Sequence, residues 1–152
     1  MTPHITGREK AAVPDPLGIQ ALSACISVGD LDACIAWYTQ NLGFRLLKLV
    51  QFPELGARVA FLTGHSLRLE LAEQAEAEPG PRRQDPPRHS VVRGVTQIAF
   101  YVTDAESILA RARQHGLNVA MDLATVPELG LKAFFVRDPE ENLIEFIELT
   151  DA

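Results

Sequence analysis

The chain reads "FPELGARVAF" from Phe52 to Phe61 and "VPELGLKAFF" from Val126 to Phe135. Pro-Glu-Leu-Gly is written twice, each time leading into a run of small and aromatic residues. Turns anywhere favour Pro and Gly, so the neighbours decide whether the match has meaning. Ser23 and Asp30 in "SACISVGDLDACIAWY" correspond, at the same offset, to Gln97 and Asp104 in "TQIAFYVTDAESILAR". Glu70 in "LRLELAE" corresponds to Glu145 in "LIEFIEL", and Gly43 in "NLGF" to Gly116 in "QHGL". One order of elements is therefore written twice.

A copy of about 60 residues is marginal alone, so the two are expected to share one core. With 47% hydrophobic and 22% charged residues, the 152-residue chain has the composition of a folded globule rather than a disordered one. Its net charge of −6 argues against nucleic acid, whose phosphates need a basic surface. Cys25 and Cys34 make no disulfide framework. The start "MTPHITGREK" lacks the apolar stretch of a signal peptide, and no run is long enough to span a bilayer. A cytoplasmic, reducing setting is expected, without membrane or nucleic-acid partners.

Residues 1–17, with Pro3, Pro14 and Pro16, read as a loose leader. Residues 18–72 form the first module and 94–150 the second. Between them, 73–93 ("EQAEAEPGPRRQDPPRHSVVR") carries prolines and an acidic half followed by a basic half. This segment reads as a solvated linker; the sharper alternative is a flap in which Arg82, Arg83 or Arg88 touches an anionic ligand. Each module reads as strand, helix and three strands. Asp30 and Asp104 are placed to cap the helices, and Gly43 and Gly116 to end them.

Strand side chains alternate between faces. Leu22, Ala24, Ile26 and Val28 form the apolar set of the first strand, which leaves Ser23, Cys25 and Ser27 on the other side. By the same rule Gln97, Ala99 and Tyr101, then Arg68 and Glu70, then Leu143, Glu145 and Ile147 share a second, semi-apolar face. If the modules face each other, Ser23, Glu70, Gln97 and Glu145 converge. Neighbouring carboxylates repel unless a cation or shared proton intervenes, so convergence points to a metal or perturbed titration. Trp37 and Cys34 read as packing residues.

The stretch Val28 to Phe44, with its D-L, W-Y and L-G-F elements, resembles the vicinal oxygen chelate superfamily of glyoxalase I, bleomycin-resistance proteins and extradiol dioxygenases. "IAFYVTD" and "RDPEENLIEFIE" resemble it too, and the likeness covers residues 18 to 149. It implies an α+β fold: tandem βαβββ modules making a curved eight-stranded mixed sheet around a cleft, helices on the convex side. In metal-binding relatives the first and fifth strands each supply His or Gln, and the fourth and eighth each supply Glu. Those places are Ser23, Gln97, Glu70 and Glu145 here. Ser23 departs from the pattern, as does Glu141, where the family turn has Gly. A positive φ at Glu141 would cost about 1 kcal/mol.

A ferrous oxygenase site wants two histidines and a carboxylate, and none of the four positions is His; dioxygenase chemistry is not expected. The oxygen set suits magnesium, manganese, nickel, cobalt or zinc. The resemblance then implies a glyoxalase-like, metal-dependent lyase or isomerase acting on a small molecule. Glu145, or Glu70, would move a proton beside a chelated carbonyl, with Arg68, Tyr101, Cys25 and Ser27 lining the substrate site. The alternative is a metal-free binder of a drug or natural product in the same cleft. A homodimer is expected, because each four-stranded half leaves an edge to cover, and the cleft can form within one chain or across two.

Overall fold

The computed structural model describes residues 15–150; most of the leader, His4 included, lies outside the described residues. The chain runs β1 (Ala24–Val28), α1 (Leu31–Leu42), β2 (Arg45–Phe52), β3 (Ala57–Gly64) and β4 (Leu67–Gln74). It then repeats as β5 (Gln97–Tyr101), α2 (Ala105–Gln114), β6 (Asn118–Val126), β7 (Leu131–Arg137) and β8 (Leu143–Leu149). The eight strands fall into two sheets of four, ordered β1-β4-β3-β2 and β5-β8-β7-β6. In each sheet the first strand pairs parallel with the fourth, and the remaining pairs are antiparallel.

The repeat holds down to single hydrogen bonds. Both Pro-Glu-Leu-Gly sequences form one turn of 3-10 helix, with Pro first and its φ already suited to the turn. Gly56 and Gly130 follow in the left-handed region (φ 57° and 62°), each amide donating to the proline carbonyl. Their own carbonyls accept from Ala75 and Thr150, where the fourth strand of each module returns. Asp30 accepts from the Ala33 amide and Asp104 from that of Ser107, both at 3.0 Å, as N-caps do.

α1 packs on β2, β3 and β4, and α2 on β6, β7 and β8. Leu31, Cys34, Tyr38, Leu69 and Leu71 of one module join Leu109, Phe134, Val136 and Ile144 of the other in one buried cluster. Across the seam Phe44 meets Phe100 edge-on at 6.0 Å. The Tyr38 hydroxyl donates to Asp138 in the β7–β8 turn at 2.7 Å. That turn also sends Glu140 to accept from the Gly29 and Asp30 amides at the start of α1. Glu141 sits at φ 67°, the positive value that the departure from Gly implied.

Two expectations change. Leu22 is not on the helix-facing side of the first strand: β1 begins at Ala24, and Leu22 is 86% exposed. The parallel pairing with β4 starts at Ala24 opposite Leu69, so nothing holds the two preceding residues in the ladder. The segment between modules also differs from a merely solvated linker. Pro86 is buried, Arg83 and His89 are half-buried, and the His89 ring stands 5.2 Å from Phe135 on the second face of β7.

Candidate functional site

Pairing fixes which side chains stand together. Cys25 lies opposite Glu70 in the β1–β4 ladder, and Ala99 opposite Glu145 in the β5–β8 ladder, so the two carboxylates occupy equivalent places. Phe61 and Phe135 flank them on β3 and β7. Gln97 Nε2 donates to Glu145 Oε2 at 3.0 Å, while its Oε1 accepts from the Thr96 hydroxyl. Both Glu70 and Glu145 are half-buried. Desolvation, then the negative charge of Glu70, then a hydrogen bond to it raise the Cys25 thiol above its ordinary value.

The candidate residues thus form two pairs, Cys25 with Glu70 and Gln97 with Glu145. Among the described residues no three His, Cys, Asp or Glu side chains are grouped as a metal ion would need, so Glu145 does not join Cys25 and Glu70 within one chain. Ser23 is exposed and precedes β1. Arg68 and Tyr101 are exposed on the faces of their respective carboxylates. A cavity of about 760 Å³ opens where β1 approaches the start of β5; Cys25, Ser27 and Gln97 line it, with Ala77 to Arg83 as another wall.

Three charged residues that tie the modules and the linker together escaped the sequence reading. Asp138, Glu140 and Arg137 follow one another around a strand end that sequence marks only as "VRDPEEN". A buried charge at a strand end is rare enough to be informative, but Tyr38, Asp85 and Gly29, which bond Asp138, Arg137 and Glu140 in turn, lie far off in the chain, where spacing carries no signal.

A model of the Glyoxalase/Bleomycin resistance protein/Dioxygenase superfamily matches residues 18–146. The chain belongs to that superfamily. It is 31% identical over 134 residues to the lactoylglutathione lyase of Salmonella typhimurium, covering 88% of this chain and 96% of that one. The lactoylglutathione lyase of Haemophilus influenzae is 33% identical, with 86% and 93% covered. Among solved structures, a glyoxalase family protein from Enterococcus faecalis superposes with TM-score 0.67 at 25% identity, covering 86% of this chain and 96% of the other. The trypanothione-dependent glyoxalase I of Leishmania major gives TM-score 0.63 at 28% identity, covering 86% of each.

Within this superfamily member the two cysteines should report on the site. Burial first, then the charges of Glu140, Asp138 and Asp30, pushes the Cys34 thiol up to about 12. Thiolates, not thiols, attack disulfide reagents. The native chain should therefore expose one reactive thiol, Cys25, and release Cys34 only on unfolding. Glu70→Gln should quicken the Cys25 reaction several-fold at pH 8. Two fast thiols in the native protein, or an unchanged Cys25 rate in the variant, would contradict the geometry.

Proposed function

We propose that this protein is a glyoxalase-like, divalent-metal-dependent lyase or isomerase, assembled as a homodimer. The observation that carries this reading is the Gln97–Glu145 pair, set on the strand face where the other module repeats its carboxylate as Glu70. Each chain would supply two half-sites, so Gln97 and Glu145 would meet Glu70 of the partner subunit. The kinship with lactoylglutathione lyases supports the reaction class.

The donor set suits a hard cation: two carboxylates, an amide oxygen and a serine hydroxyl or water. Gln97 would turn its oxygen, which faces Thr96 here, toward the ion. A bound cation would polarise a substrate carbonyl and acidify the neighbouring C–H. The Glu145 carboxylate would take that proton and return it at the adjacent carbon, and the reaction would consume no net proton. Gln97 Nε2 holds the Glu145 Oε2 atom, leaving Oε1 free to face the substrate. Arg68 can bind a substrate carboxylate with a two-pronged contact, and Tyr101 can form part of the wall.

Elemental analysis of protein purified without added metal tests this directly. Stoichiometric magnesium, manganese, nickel, cobalt or zinc, together with a dimer by light scattering, is the expected result. A monodisperse monomer that retains no divalent metal would overturn the reading. Lactoylglutathione, named by the relatives, is the first compound to assay. A metal-free ligand binder is the second reading, and the exposed Ser23 where relatives offer a stronger ligand favours it. It requires a ligand that raises Tm equally with and without chelator.

A further inference from the structure

The inner faces of the two modules are equivalent by repeat but not by cover. Phe61 on the first is half-exposed, whereas Phe135 on the second is 4% exposed. The cover is the chain itself, residues 82–92, lying against the strand beside Glu145. It is held by Arg137, whose side chain is 1% exposed. Its Nη2 donates to Asp85 Oδ1 at 2.5 Å and to the Arg83 carbonyl at 2.9 Å, while Nη1 donates to the Glu141 carbonyl at 2.8 Å. Arg82 adds a bond to the Glu141 carboxylate at 2.9 Å. Arg83 binds the His89 and Val92 carbonyls, which closes the segment on itself. On β3, Thr63 stands where β7 has Arg137, so the first module has no such anchor.

The anchor and the cavity share residues. Arg82, Arg83 and Glu141 line the 760 Å³ cavity beside Gln97, and all three belong to the bonded group around Arg137. The cavity wall and the anchor are thus built partly from the same three residues. One end of the segment is a cavity wall, and the other covers the flank of the Gln97–Glu145 pair.

We propose that the Asp85–Arg137 ion pair latches residues 82–92 as a gate over the half-site made by the Gln97–Glu145 pair. This rests on reading that pair as half of a metal site. When a binding-competent state is only partly populated, apparent affinity falls by that fraction. Weakening the latch should therefore tighten binding at the half-site rather than damage it.

The test uses the full chain as wild type, Asp85→Asn and His89→Ala. Asp85→Asn keeps the shape and an acceptor for Arg137, and His89→Ala removes the ring over Phe135 without touching the latch. Two quantities are read: trypsin cleavage after Arg88 and Arg93 under native conditions, and nickel affinity by calorimetry. Asp85→Asn should be cleaved about tenfold faster, since an opened segment is cut in proportion to its open population, and should bind nickel correspondingly tighter. His89→Ala should shift both in the same direction. Unchanged cleavage in both variants would abolish the latch, and faster cleavage with unchanged nickel affinity would abolish the gate. Absence of nickel binding in all three proteins would instead overturn the half-site.

Discussion

Asp138→Ala should lower the unfolding free energy by about 3–5 kcal/mol, the scale for emptying a buried, fully bonded polar position. Asp138 is 4% exposed. Its carboxylate accepts from the Tyr38 hydroxyl at 2.7 Å, from the Glu140 and Asn142 amides at 2.9 Å, and from the Asn142 side chain at 3.0 and 3.2 Å. Removing it leaves the Tyr38 hydroxyl buried without an acceptor. It also frees the turn that carries Glu140 to the Gly29 and Asp30 amides, so the two modules lose two links at once. Tyr38→Phe removes one of these bonds and should cost about 1–3 kcal/mol. Urea titration of both variants is the measurement. A loss below about 1 kcal/mol in Asp138→Ala would mean that the apolar cluster alone holds the modules together.

Glu145→Gln should reduce turnover by about 10²–10⁴-fold, the usual contribution of a positioned general base. The variant keeps the size of the side chain and can still bond Gln97, so folding should be unaffected. It should also lose stoichiometric divalent metal. Glu70→Gln should weaken metal binding in the same way, because the proposed ion is shared between Glu145 of one chain and Glu70 of the partner subunit. Mixing the two variants supplies the sharper observation: a mixed dimer would contain one site with both carboxylates and one with neither. Recovery of up to half the wild-type metal content per dimer supports a site built across two chains. No recovery in a dimer shown to exchange subunits would sink that arrangement.

Much of this was legible in the chain. The two Pro-Glu-Leu-Gly turns, the caps at Asp30 and Asp104, and the pairing of Glu70 with Glu145 as equivalent positions are local or periodic features. Such features depend on backbone sterics and on the alternation of strand faces, which act over a few residues. The positive φ at Glu141 was implied instead by the resemblance, whose turn carries Gly at that place. Leu22 was misplaced because alternation continues past the point where the ladder ends, and only the partner strand decides that point.

The sequence by itself determined a duplicated βαβββ unit, its turns and caps, and the face on which each carboxylate would stand. The tertiary structure alone decided that Gln97 bonds Glu145 and that Cys25 stands against Glu70. It also decided that Asp85 crosses to a buried Arg137 and draws residues 82–92 over the second sheet. The physical reason is separation along the chain. Asp85 and Arg137, or Tyr38 and Asp138, meet only after two sheets have folded, and no local periodicity encodes a meeting between groups that far apart.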